Sequence, residues 1–290
     1  MNQRQNQIYN LKLKADDLNA ELAFTRGEIS YADRIFDQKE TLTTICDAHG
    51  EYSQHRIWMN SFGGRIAEKR SRCPACVAAS LEETHASRKA LQVALLTDNA
   101  SIAERFDGCT LENYVAVNDK AKRNLGMLKT YAKRWPDMYK AGTSLILSGK
   151  PGTGKNHLAV GLAKAVIAEH QASVLLTSVL KIIRAVRRSW GKNAEYSEEE
   201  VIAMYTDKDL LIIDEIGVQY SSDSEKITLF EILNTRYERM LPTVMISNLT
   251  PEQISMAIGD RLTDRMVEGQ GTTLIFDWES YRSQKGAQSA

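Results

Sequence analysis

The chain has 290 residues, 43% of them hydrophobic and 26% charged, the composition of an ordinary water-soluble protein with one large domain or two modest ones. Lysine plus arginine and aspartate plus glutamate balance at 37 each, so net charge points to no partner and electrostatic recognition must be local. No run of about 18 apolar residues is long enough for a membrane span, and the opening MNQRQNQIYN lacks the apolar core of a secretory signal. The expected compartment is therefore the cytoplasm, with no membrane partner.

Ile8, Leu11, Ala15, Leu18 and Leu22 recur at steps of three and four. That spacing predicts a helix with one apolar stripe, close to a heptad, which either packs on its own domain or docks a partner. Residues 41 to 80 change character: they carry Cys46, Cys73 and Cys76, a glycine pair and no long apolar period. In TTICDAHGEY and SRCPACVA, Cys46-x-x-His49 and Cys73-x-x-Cys76 read as one tetrahedral structural zinc site, with His55 as a spare ligand. Cysteines in a chain without an export signal are metal ligands or buried thiols before they are disulfides; Cys109, alone, reads as a packed small apolar residue. A helical pattern returns from Ser80 to Leu96. The boundary is placed near 80 to 105, giving domains 1–95 and 96–290. A basic stretch from Lys120 to Lys140 follows, with no role assigned to it.

From residue 144 short apolar runs alternate with helical patterns: SLILSG, SVLLTS, DLLIIDE, PTVMISN and TLIFDW. Strands alternating with helices predict an α/β domain with a five-stranded, mostly parallel sheet covered on both faces. The first run ends in GKPGTGKN, Gly149 through Lys150, Pro151, Gly152, Thr153, Gly154 and Lys155 to Asn156, with His157 next. This is a phosphate-binding loop between strand and helix, except that Asn stands where Ser or Thr would hold Mg²⁺. The Asn carboxamide oxygen is itself a hard ligand, so Asn156 is compatible with a working Mg²⁺ site. LLIID ends on Asp214, placed to hold Mg²⁺, and Glu215, placed to activate water. VMISN ends on Asn248, placed for the γ-phosphate or the water. Between Ala172 and Ala194 there is no acidic residue. Lys181, Arg184 and Arg188 share a helix face there, with Arg187 beside them, which suits contacts to DNA phosphates.

SGKPGTGKNHLA, LLIIDEIG, GDRLTDRM and WESYRS resemble the bacterial DnaC-type helicase loaders, a branch of the AAA+ ATPases, over roughly residues 105 to 285. That family also carries Asn after its loop lysine. The resemblance implies ATP binding and hydrolysis across subunit interfaces, in a spiral that engages single-stranded DNA and a hexameric DnaB-type replicative helicase. It implies that Arg261 is the arginine finger of a neighbouring site, that Arg265 is a weaker candidate, and that Arg282 senses nucleotide. It implies that the helical lid of other AAA+ proteins is absent. The zinc module departs from the enteric pattern and looks more like phage-type relatives. The alternatives are an IstB-like transposition ATPase acting on duplex DNA with a transposase, and a non-hydrolysing nucleotide-switched adaptor.

Overall fold

The computed structural model describes residues 2–30, 32–61, 64–217 and 223–281. The chain divides into two compact units, Met1–Leu95 and Leu96–Ala290.

In the first unit, helix α1 (Gln3–Phe24) opens with a capping box: the Asn2 side chain accepts from Gln5 N, and the Gln5 side chain accepts from Asn2 N, satisfying two amides that the helix cannot. Its stripe is half-buried at Ile8, Leu11 and Leu22 and buried at Ala15 and Leu18. Strands β1 (Gln38–Cys46), β2 (Gly50–Ser61) and β3 (Gly64–Arg70) then form an antiparallel sheet in that order. The front unit thus adds to its helices a sheet that the sequence reading did not mark. QKETLTTIC of β1 is mostly exposed, so it lacks the inward apolar alternation by which a half-buried strand is recognised. Among the described residues of β2, Ile57 alone is buried. Helix α2 (Pro74–Asn99) follows and carries the chain into the second unit.

In the second unit, α3 (Asp119–Lys133) and α4 (Trp135–Lys140) precede β4 (Leu145–Gly149). Then come α5 (Lys155–His170), β5 (Val174–Ser178), α6 (Val179–Ser189), α7 (Glu198–Thr206), β6 (Leu210–Asp214), α8 (Asp223–Glu238), β7 (Thr243–Ser247), α9 (Pro251–Ile258), α10 (Asp260–Val267) and β8 (Thr272–Phe276). The five strands pair in the order β5-β6-β7-β4-β8, and every pairing is parallel. Their runs are continuously apolar because helices cover both faces: Leu145, Ile146 and Leu147 are buried, as are Leu210 to Ile213 and Val244 to Ile246. α6 packs its Ile182, Ile183 and Val186 into the same core as Leu229 and Ile232 of α8. In such a sheet the ligand crevice lies outside the carboxyl ends of the strands, where the chain reverses its strand order. β4, β6 and β7 end there on Gly149, Asp214 and Ser247.

Candidate nucleotide-binding site

The turn between β4 and α5 uses backbone that glycine enters at little cost: φ is +134° at Gly149 and +94° at Gly154. Space also demands glycine. A Cβ on Gly149 would lie 2.2 Å from the Phe276 carbonyl oxygen, and one on Gly154 2.6 Å from the Tyr114 ring. No side chain caps the start of α5, so its first amides and its dipole can serve an anion. Lys155, first in that helix, is only 4% exposed. Its Nζ donates to the carbonyls of Gly149 and Lys150, both at 2.7 Å, acceptors that a buried ammonium requires.

Asn156 donates its Nδ2 to Asp214 Oδ2 at 2.6 Å. A carboxylate only accepts, so the amide nitrogen faces Asp214 and the amide oxygen faces away. That oxygen is the hard ligand Mg²⁺ prefers. One side chain can therefore hold Asp214 and offer an oxygen to the cation. The other carboxylate oxygen of Asp214 accepts from Glu215 N at 2.7 Å. Glu215 has φ +63°, an uncommon backbone state for a non-glycine residue, and its side chain is exposed. Two serines tie the strand exits together: Ser148 Oγ donates to Leu249 O and Ser247 Oγ to Ile216 O, both at 2.6 Å. Asn248, between them, is exposed.

Lys155, Asn156, Asp214, Glu215 and Asn248 all line one cleft of about 660 Å³, with Pro151 to Gly154 on its rim. The sequence reading assigned none of the residues of its outer wall to the site, though it quoted WESYRS as a motif. Arg105, Phe106, Tyr114, Val115 and Val117 come from the stretch before α3, and Trp278 and Tyr281 from the stretch after β8. Cys109 also lines it, half-buried, and burial pushes its thiol pKa up. His157 Nε2 lies 2.9 Å from both Thr110 O and Asn113 Oδ1. Two acceptors there place the proton on Nε2, so His157 braces the 110–113 turn. Lys150 points outward to Glu279 at 2.9 Å.

The arginines are placed differently. Arg261 sits exposed at the start of α10 and lines a shallow surface depression with Ser255 and Asp264, not the cleft of its own loop. Arg265 is engaged within its own chain: it donates to Asn234 Oδ1 and lies 4.8 Å over the Tyr237 ring. Arg282 lies outside the described residues.

On α6, Lys181, Arg184, Arg187 and Arg188 are all exposed. Arg187 pairs with Glu225 at 2.6 Å, which anchors it to α8. Trp190, just past the helix, is 54% exposed, an aromatic face that the charge pattern alone did not mark as part of this surface.

In the first unit Cys46 ends β1, His49 sits in the turn before β2, and Cys73 and Cys76 flank the start of α2. Their ligand atoms all lie within 4.8 Å of one another. Cys46 Sγ is 3.6 Å from Cys76 Sγ, and His49 Nδ1 is 3.3 to 3.7 Å from the three sulfurs. Tetrahedral zinc, with Zn–S about 2.3 Å and Zn–N about 2.0 Å, sets such atoms roughly 3.5 to 3.8 Å apart. The cysteines are free thiols. The residues fit zinc, because three cysteine sulfurs and one imidazole nitrogen at this spacing are a usual tetrahedral donor set; the hydrogen bond with His49 pulls the Cys46 thiol down to about 6, and the hydrogen bond with Cys46 pushes Cys76 up to about 11. Only a cation lets all three thiols shed their protons together. His55, the spare, is elsewhere, with Nδ1 3.0 Å from Thr41 Oγ1.

Comparison with known proteins agrees with this geometry. The family described as IstB-like ATP binding protein matches residues 67–289. The replicative helicase loader DnaC of Buchnera aphidicola subsp. Acyrthosiphon pisum is 33% identical over 203 residues, 70% of this chain and 81% of that protein. Replicative helicase loader DnaC of Escherichia coli K12 is also 33% identical, over 67% of this chain and 78% of its own. Among solved structures, a crystal structure of the DnaC helicase loader aligns with a TM-score of 0.55 at 18% identity, covering 60% of this chain and all of that one. DnaA bound to AMPPCP and single-stranded DNA aligns at 0.51 and 20% identity, covering 65% of this chain and 56% of that one. With the loop, the acidic strand end and the strand order already in place, the chain belongs to the family of IstB-like ATP-binding proteins that includes relatives named replicative helicase loader DnaC.

Proposed function

We propose that this chain is an ATP-hydrolysing loader that places a hexameric DnaB-type replicative helicase on single-stranded DNA in the cytoplasm. The observation that carries the reading is the cleft joining Lys155, the Asn156–Asp214 pair, Glu215 and Asn248, in a chain similar to proteins named replicative helicase loader. Lys155 and the loop amides bind the β- and γ-phosphates. Asn156 and Asp214 hold Mg²⁺, which when bound neutralises phosphate charge. Glu215 orients the attacking water and takes its proton, and Asn248 fixes the water or the γ-phosphate. Arg261, exposed and outside its own cleft, completes the site of the next subunit. A head-to-tail contact of that kind repeats into a ring or a spiral. Lys181, Arg184 and Arg188 contact DNA phosphates, and Trp190 offers a base a stacking surface. Cys46, His49, Cys73 and Cys76 hold one structural zinc ion, and the front unit docks the helicase.

The test is loading itself. Purified DnaB-type helicase is given a closed circular single strand coated with single-strand-binding protein, and unwinding of an annealed oligonucleotide is followed. Unwinding should require this protein and ATP and should be lost with Lys155→Ala. Equal unwinding without the protein, or stimulation of a transposase on duplex DNA instead, would overturn the reading.

A further inference from the structure

The basic stretch before β4 forms a surface of its own. Between Asp119 and Lys140 there are seven lysines and arginines, Lys120, Lys122, Arg123, Lys129, Lys133, Arg134 and Lys140, against two acids, Asp119 and Asp137. Lys120 pairs with Asp277, and Arg134 with Asp137. Lys122, Arg123, Lys129 and Lys133 are exposed, and among the described residues none has a carboxylate within 4 Å. Lys122, Lys129 and Lys133 are spaced i, i+7 and i+11, one face of α3, about 16 Å from end to end. Gly126 lies between them on that face. Glycine inside a helix costs about 1 kcal/mol relative to alanine, and no packing demands it here, since a Cβ would meet nothing within 4 Å. Its effect is to keep the helix surface low between the cations. Alongside runs a groove of about 380 Å³ with Arg123, Met127 and Arg134 at its rim and Leu128 and Leu274 among its lining.

We infer that this face of α3 is a second binding site for single-stranded nucleic acid, its lysines meeting successive phosphates while the groove receives an unstacked base. A row of unpaired cations beside an apolar-floored groove matches a ligand with regularly spaced charges and flat apolar faces. A lipid surface fits less well, because Met127 is the single large apolar side chain exposed on α3. The site is separate from α6. α3 packs against β8 and α6 against β5, and these are opposite edges of the five-stranded sheet, roughly 19 Å apart at about 4.8 Å per strand. The inference rests on the proposed function only in that both engage single strands.

The experiment measures binding of a fluorescein-labelled oligothymidylate by anisotropy across a salt titration, with a non-hydrolysable ATP analogue present. Wild type is compared with Lys122→Gln/Lys129→Gln/Lys133→Gln, with Lys181→Gln/Arg184→Gln/Arg188→Gln, and with Gly126→Leu. Three phosphate contacts at ~0.7 each contribute about 2 to the log–log slope. Between 50 and 200 mM salt, wild-type affinity should therefore fall roughly 20-fold more than that of the α3 variant. Gly126→Leu changes no charge and suits a helix better, yet it should weaken binding by filling the low surface. Nucleotide affinity serves as the folding control for every variant. If the α3 variant keeps the wild-type slope while the α6 variant loses it, the second site is refuted and the proposed DNA contact stands. If α3 loses the slope and α6 keeps it, the second site stands and the α6 assignment fails. A wild-type protein with no affinity for single strands refutes both. An effect confined to a duplex of equal length, or to vesicles of anionic lipid, also overturns the inference.

Discussion

Asn156 shows what a single side chain decides. A Ser or Thr at the end of the loop would give one hydroxyl to Mg²⁺. Asn gives a nitrogen to Asp214, at 2.6 Å, and keeps an oxygen for the cation. Thr retains an oxygen ligand, so Asn156→Thr should keep ATP turnover within about tenfold. Leu has a similar size and no polar atom, and it leaves Asp214 Oδ2 without its donor. Losing such a partner in a half-buried site costs about 1–3 kcal/mol. Asn156→Leu should therefore raise the Mg²⁺ concentration needed for half-maximal turnover by tenfold or more. A Mg²⁺ titration of ATPase rate checks this; identical Mg²⁺ dependence in the Leu variant would show that Asn156 has no part in holding the cation. The sequence assigned Asn156 and Asp214 to one Mg²⁺ site; the fold added the direct hydrogen bond between them, across 58 residues.

At the scale of elements, the segment after β8 braces the phosphate loop from outside. Lys150 N donates to Phe276 O at 2.8 Å, and Tyr281 N donates to Gly152 O at 3.0 Å. Trp278 Nε1 and Tyr114 Oη both donate to Thr153 O at 3.2 Å. These bonds hold the loop's shape from within the chain, which spares part of the ordering cost of binding. Trp278→Phe keeps an aromatic ring beside Phe276, whose centroid lies 5.0 Å away at a 41° tilt, and removes one donor. A hydrogen bond of this kind contributes about 0.5–1.5 kcal/mol net. The KM for ATP should rise about two- to tenfold with kcat unchanged, since the bond is made equally in the ground and transition states. Steady-state kinetics decide it: a fall in kcat at constant KM would place Trp278 in the chemistry and refute the bracing role.

For the whole molecule, the two units have cores of different kinds. The second is an apolar core of sheet and helices. The first buries few large side chains, Leu18, Phe24, Ile57 and Val77 among them, and among the described residues of its sheet Ile57 alone is buried, β1 being mostly exposed and β2 mostly half-buried. A small core of that sort would draw much of its stability from the proposed zinc ion. Chelation should therefore unfold residues before about 95 while nucleotide affinity in the second unit stays within about twofold. Limited proteolysis with and without chelator, alongside nucleotide titration, measures both. A front unit that stays protease-resistant after zinc is removed, or metal analysis that finds no zinc, would reject the assignment of Cys46, His49, Cys73 and Cys76.

The sequence by itself determined whatever rests on local pattern. The apolar runs of β4 to β8 read as buried strands because both faces of a parallel sheet are covered. The glycines and Lys155 read as a phosphate loop because strand, turn and helix follow in order. The paired x-x spacings read as a metal cluster because each puts two ligands on one tight turn. The sheet of the front unit did not read, because polar strands such as QKETLTTIC carry no inward apolar alternation. Tertiary structure alone decided which distant groups meet. It turned residues 105–117, which carry no clear period, into the outer wall of the cleft, and put Arg261 on a surface away from it. It also buried Arg236 completely among the carbonyls of Tyr205, Lys208 and Pro242. A charged residue of α8 gives no sequence sign of such burial, because its partners are backbone atoms and any residue type can supply a carbonyl.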